Sequence, residues 1–244
     1  MSTELIVALV SAVIAVMSAV LSLYGQIRVA RLTAEREEKR EEKAKKERME
    51  ELLSRYREPL LHSAFELQSR AFNILKMDMM GKHYKNGTER DKTYVVNNTL
   101  YVIAQYLGWS EIIRREMQFL DLGELDRTRQ LSKAQDDVCN VFLNHKLGRV
   151  LRIFRGDQRA IGELMMIRVE GSGQCIGYAT FVSKLAEPEF ASWFGEIKEG
   201  LLKLVDDPSA GQERLVDLQH ELIDIIDYLD PDCVRFPRER RQKV

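Results

Sequence analysis

The chain is 244 residues long and carries 37 lysines and arginines against 38 aspartates and glutamates, a net charge of −1. That balance argues against a general nucleic-acid binder, which needs a basic surface to meet phosphate. The three cysteines, Cys139, Cys175 and Cys233, are odd in number, far apart and outside any CxxC or Cys/His spacing, which argues against a disulfide framework or zinc site and suits a reducing cytosol.

Residues Leu5 to Tyr24 read LIVALVSAVIAVMSAVLSLY, without a charge or a proline, and the uncharged window runs on to Ile27. A helix crossing ~30 Å of hydrocarbon needs about 20 apolar residues. The run therefore predicts a single-pass transmembrane anchor over residues 1–27, with the lipid bilayer as its partner. Glu4 precedes the run and no Lys or Arg does, so the basic n-region of a cleaved signal peptide is missing. Arg28, Arg31, Arg36, Lys39 and Arg40 follow it. Basic flanks stay cytoplasmic, which predicts an inner-membrane protein with its N-terminus outside and its body inside the cell. Ser11, Ala15 and Ala19 repeat every four residues, as do Ala8 with Ala12 and Ser18 with Ser22. This small-residue face suggests a homo-oligomer through the transmembrane helix.

Residues 28–55 form a charged stalk whose segment Glu35–Glu51, EREEKREEKAKKERMEE, leaves only Ala44 and Met49 uncharged. Good helix formers and Glu-first pairs (Glu35 with Lys39, Glu41 with Lys45, Glu42 with Lys46) predict a solvated helix. It is coiled-coil-like in composition. Projecting a heptad back from Met49, Leu53 and Tyr56 nevertheless puts Lys46, Glu42, Lys39 and Glu35 on the seam, which is no apolar dimer core. A helix from Arg28 to Tyr56 would hold the body off the membrane by roughly 40 Å. The stalk is +1, the tail from Cys233 to Val244 is +4 and Glu4 adds −1. The body from Leu52 to Asp232 is therefore −5.

The body, 56–232, reads as an all-α bundle with room for one short β-hairpin. Pro59 starts a helix or kinks one, and Leu60, Leu61, Ala64, Phe65, Gln68, Ala71, Phe72 and Leu75 form its stripe. Met79 to Asp91 reads as a loop with Asn86-Gly87 as its turn. A helix follows over Thr93–Leu107, Gly108 is placed to break it, and a second runs from Trp109 to Leu120. Leu125, Leu131, Val138, Val141 and Phe142 line another, and Leu151–Met166 another. Met166–Phe181 is the hairpin candidate, turning at Gly171-Ser172-Gly173. Pro188 opens a helix through Leu204, and Leu215, Leu218, Leu222, Ile225 and Leu229 mark the last amphipathic helix. The tail, 233–244, with Arg235, Arg238, Arg240, Arg241 and Lys243, reads as disordered, either touching anionic lipid or solvated with no role.

The blocks YREPLLHSAFELQSRAFNIL, LYVIAQYLGWSEIIRREMQFLDL, RIFRGDQRAIGELM and LVDLQHELIDIIDYLDPDCVRFP, which cover most of the body, resemble an uncharacterised group of bacterial membrane-anchored helical proteins. The resemblance implies a helical body on an anchor and brings no activity or site residue with it.

One segment concentrates chemistry. Arg152, Arg155 and Arg159 stand with Gly156, Asp157, Gly162 and Glu163, and arginine forks suit phosphate or carboxylate ligands. These three are the candidate ligand-binding residues. The competing reading is an internal ion-pair network with Asp157 as a helix cap. His220-Glu221-Leu222-Ile223-Asp224 has aspartate where the zinc-peptidase helix has its second histidine, and no third ligand accompanies it. His62, His83 and His145 give no ligand spacing. No catalytic residue and no metal or cofactor is indicated, since Walker, GxGxxG and GxSxG spacings are all missing. The expected function is a membrane-tethered, non-enzymatic scaffold or signal-coupling module for a protein partner, with no nucleic acid involved. The alternative is a small-ligand sensor or enzyme that uses the arginine segment on a phosphorylated or carboxylated ligand.

Overall fold

The computed structural model describes the backbone of residues 3–118 and 126–244, without the side chains of residues 3–10, 12, 13, 15, 49, 52, 53, 117, 118 and 126–128. It is 80% helical with one two-stranded antiparallel hairpin, as the apolar periodicities predict. The chain divides into two compact units, 1–52 and 53–244.

The first unit is helix, the N-terminal part of α1 (Thr3–Lys76). Among the described residues no helix is long and apolar enough to cross a membrane. The transmembrane expectation for 1–27 thus gains no support there. From Val16 onward the described stretch runs into Gly25, Gln26, Arg28 and Arg31, which dilute its apolar character. Residues 5–10, 12, 13 and 15 lie outside the described side chains, and with them Ala8, Ala12 and Ala15 of the small-residue face. The segment 28–51 is helical, with every described side chain exposed and Lys43 Nζ 3.7 Å from Glu47 Oε1.

In the second unit, α1 passes through Pro59 without ending. Proline removes one backbone donor, and the helix persists because its face is buried: Tyr56, Leu60, Leu61, Ala64, Phe65, Leu67 and Ala71 all lie in the core. The expected loop at 79–91 is largely helical. Met80–Lys85 forms a π-helical turn, Met79 and Met80 are buried, and α2 begins at Glu89.

Helix α2 (Glu89–Gln118) is a single 30-residue helix, so Gly108 does not break it. Gly108 instead permits close approach. A Cβ there would sit 2.8 Å from Met165 Cβ and 2.6 Å from Cys175 Sγ. Gly162 does the same from the other side, where a Cβ would meet Leu107 O and Glu111 Cβ at 2.8 Å. These two glycines seat α4 (Arg155–Met165) against α2. Gly108→Val is expected to lower stability by about 1–3 kcal/mol through overpacking. Chemical denaturation of the full chain measures it, and an unchanged midpoint would remove the glycine contact as the reason the two helices meet.

Helix α3 (Asp126–Leu143) matches the stripe at Leu131, Val138 and Phe142, which are buried; Leu125, with Phe119 and Leu120, lies outside the described residues. α4 is shorter than the expected 151–166 helix, because Phe154 takes an extended conformation and Leu151 a positive φ of 57°. The hairpin pairs β1 (Met166–Val169) with β2 (Ser172–Cys175), Val169 opposite Ser172. Its turn is Glu170-Gly171, both at positive φ, one residue earlier than the expected glycine cluster. A two-residue turn with both φ positive matches the strand twist. This frees Gly173 for the strand, where a Cβ would meet Ile112 Cγ2 at 2.9 Å.

Beyond β2, Tyr178 to Phe181 is not strand but the start of α5 (Tyr178–Lys184). The helix expected after Pro188 is split into α6 (Pro188–Ser192) and α7 (Gly195–Asp206). The break lets Phe190 and Phe194 both reach the Phe181 ring, at 5.6 and 5.2 Å between centroids. Helix α8 (Gln212–Leu229) follows the predicted stripe and packs on α3.

The tail overturns the expectation of disorder. Phe236 stacks on Phe65 with centroids 3.7 Å apart and planes within 4°, and Arg240 lies over the same Phe65 ring. Arg235 pairs with Glu58, Lys243 with Asp224, and buried Arg241 with Asp227 and Asp230. Tail cations that looked free for lipid are largely spent on carboxylates of the body.

Candidate functional site

A cleft of about 820 Å³ opens between α2, α3 and α4. Helical spacing places its walls. α2 contributes Ser110, Glu111 and Arg114, α3 contributes Ser132, Lys133, Asp136 and Cys139, and α4 contributes Arg155, Gln158 and Arg159. Residues three and four apart share a face, so each helix presents one short polar row. With Arg129, the lining holds five cations against the two carboxylates Glu111 and Asp136, a positive patch on a body of net −5.

Several of these charges are already engaged. Glu111 is 4% exposed and takes a bidentate fork from Arg114, Nε to Oε2 at 2.7 Å and Nη2 to Oε1 at 2.6 Å. Arg115 donates to it at 2.7 Å and also pairs with Glu163 on α4. Burial pushes the Glu111 carboxyl up, but the Arg114 and Arg115 hydrogen bonds outweigh this and hold it below the usual carboxylate range. The Arg115–Glu163 bridge thus ties α2 to α4 beside the glycine contact.

The three sequence candidates separate. Arg155 reaches across to α3, donating to Asp136 Oδ1 at 3.3 Å and Asn140 Oδ1 at 3.0 Å. Arg159 lines the cleft, is exposed, and makes no ion pair among the described residues. Arg152 is not part of the lining; its guanidinium lies 4.8 Å from the centroid of the Phe154 ring. Asp157 is not the cap of α4. It stands inside the first turn, and the cap position, Phe154, supplies no side-chain hydrogen bond.

No family model, curated protein or solved structure matches the chain. Cys139 lines the cleft, but burial pushes its thiol up, against the lowering effect of Arg155, so it stays protonated near neutral pH. Cys175 is pushed up to about 12 by burial. Neither is an activated nucleophile, which needs a lowered pKa or an adjacent base. His220 lies on α8, where its Nε2 is 3.0 Å from the Val244 carbonyl oxygen; Glu221 beside it is raised by burial and by Asp137 and Asp224. Among the described residues no group of three His, Cys, Asp or Glu is placed to hold a metal ion.

Gln158, Lys133 and Ser132 were invisible as site residues in the sequence. Gln158 is 3% exposed, and its Nε2 donates to the carbonyls of Cys139 at 3.0 Å and Ile153 at 2.8 Å. Its Oε1 has no donor among the described residues. A glutamine inside an arginine-rich segment carries no local signal of burial. Only the packing of α4 on α3 makes it a wall residue.

Proposed function

We propose that this protein is a single-pass membrane-tethered module, N-terminus outside and helical body in the cytoplasm, that recruits a protein partner or couples a signal to it. One observation carries the reading. From Ile14 to Leu32, α1 exposes Ile14, Val16, Met17, Val20, Leu21, Leu23, Tyr24, Ile27, Val29 and Leu32, each between 46 and 67% accessible. Apolar side chains on every face of a helix need a cover, because contiguous exposed patches of this size mark a membrane or partner surface. A bilayer covers all faces at once, whereas a packed neighbour covers one stripe. The length of the span comes from the sequence, which is uncharged from Leu5 to Ile27, and its direction from the basic residues behind it. The charged helix at 28–51, exposed throughout its described side chains, suits a solvated spacer. The body offers the partner surface.

The full chain is expected in the membrane fraction, resistant to alkaline carbonate and released by detergent. In intact spheroplasts an N-terminal tag is cleaved by added protease while the body is protected. The double variant Val16→Lys, Val20→Lys should shift the protein to the soluble fraction, since each central charge costs about 2.5–3.5 kcal/mol of insertion. Recovery of the unmodified chain in the carbonate-soluble fraction would sink the proposal.

A further inference from the structure

We propose that the cleft between α2, α3 and α4 binds a small phosphorylated molecule that also carries hydroxyl or amide donors. The volume of about 820 Å³ suits a metabolite-sized ligand. Two of the cleft's cations are already paired. Arg114 is taken by Glu111, and Arg155 bridges Asp136 and Asn140. Lys133 and Arg159, on α3 and α4, are exposed at the cleft with no ion pair among the described residues. Two open positive charges on separate helices match a phosphomonoester dianion better than a single carboxylate, and the arginine fork adds directional donors.

The backbone adds a third positive element. The first turn of α4 lines the cleft through Arg155 and Gln158, and its cap residue Phe154 offers no side-chain acceptor to the first N–H groups. Such a helix N-terminus attracts an anion, although the Asp157 carboxylate in the same turn, outside the cleft lining, opposes it. Gln158 adds an independent polar feature to the same wall. It is 3% exposed and lines the cleft, and its carboxamide orientation is held by two donated hydrogen bonds. That leaves a buried Oε1 acceptor without a donor among the described residues. Buried acceptors without partners are rare and costly. Oε1 has almost no accessible surface as the side chain stands, so a ligand hydroxyl or amide N–H would reach it with a small shift of the carboxamide, a shift that an anion would not reward. On the other wall, Gln135 Nε2 is a buried donor likewise without a partner among the described residues. Together these features specify a phosphate at the α4 N-terminus, between Arg159 and Lys133, with a polar body reaching toward Gln158.

The proposal does not depend on α1 entering a bilayer, because it is tested on the full chain in detergent micelles. Inorganic phosphate, ribose 5-phosphate and ribose are titrated by calorimetry at constant ionic strength. Inorganic phosphate is expected to bind with a Kd of about 1 mM, as suits so small a ligand. Ribose 5-phosphate should bind at least tenfold more tightly through its hydroxyls, and ribose should not bind measurably. Arg159→Glu and Lys133→Glu, both at exposed positions without an ion pair among the described residues, should each weaken ribose 5-phosphate at least tenfold with unchanged melting temperature. Two results would overturn the proposal. One is failure of inorganic phosphate to bind at concentrations well above that Kd. The other is equal affinity in wild type and both variants, which would mean an adventitious ion only.

Discussion

Arg214→Met is expected to destabilise the body by about 3–5 kcal/mol, the scale for stranding buried polar partners of a charge. Arg214 sits in the first turn of α8, is fully buried, and makes no ion pair with a carboxylate among the described residues. Its guanidinium instead donates to five backbone carbonyls. Nε reaches Val150 O at 2.9 Å; Nη1 reaches Phe142 O at 3.0 Å and also Val141 O; Nη2 reaches Asn144 O at 2.8 Å and Gly148 O at 2.9 Å. Three of those carbonyls belong to the C-terminal end of α3 and the residue just after it. Helix C-termini present unpaired carbonyls and the negative end of the dipole. The cation therefore finds its counter-charge in backbone. Burial still pushes its pKa down, and the nearby positive charge of Arg152 adds to that while Asp217 opposes it.

Methionine fills the space but leaves the carbonyls without donors. Arg214→Lys keeps the charge and loses the planar fork, so a smaller loss of about 2 kcal/mol is expected. Chemical denaturation of the full chain in micelles measures both. An Arg214→Met midpoint indistinguishable from wild type would show that water replaces the guanidinium at little cost.

Arg241→Ala is expected to cost about 3 kcal/mol and to release the tail, because it removes one member of a buried pair. Arg241 and Asp230 are both nearly inaccessible. The guanidinium also donates to the carbonyls of Asp230 at 2.8 Å and Phe236 at 2.6 Å, while Asp230 accepts the backbone N–H groups of Val234, Arg235 and Phe236 at 2.9–3.1 Å. Burial pushes the Asp230 carboxyl up, but those backbone N–H groups, Phe236 first, and the Arg241 charge outweigh it and hold the pKa below its usual value. A depressed folded-state pKa contributes stability that is fully present above the unfolded value of about 3.9 and is lost as pH falls through the folded value.

The tail should accordingly stay docked at neutral pH and undock only in acid. Removing Arg241 takes away part of the depression, so the acid transition should begin at higher pH. Hydrogen exchange of residues 233–244 follows it. Equal protection in wild type and Arg241→Ala across the acid range would refute the pairing as the tail's anchor.

What could be read from the chain and what could not divides along physical lines. Stripes with a regular period were legible: Leu215, Leu218, Leu222, Ile225 and Leu229 are all buried along α8 as their spacing predicts. Punctuation by single residues was not. Pro59 and Gly108 carry strong local penalties, yet both stand inside continuous helices, because burial along α1 and the close contact with Met165 and Cys175 outweigh them. The cleft was half legible. Arg155 and Arg159 were marked by their density on one short segment, whereas Lys133, Arg114 and Gln158 join them only when α2, α3 and α4 pack.

The exposed apolar segment near the N-terminus and the charged helix behind it follow from composition alone, since hydrophobicity and helix propensity act residue by residue. The destination of each basic residue depended on tertiary structure. Arg214 looks like a surface arginine until the end of α3 is folded against it, and the cations of the tail look free until α8 and α1 bring their carboxylates and aromatic rings alongside. Charges find partners by distance in space, and that distance is set only after the helices have packed.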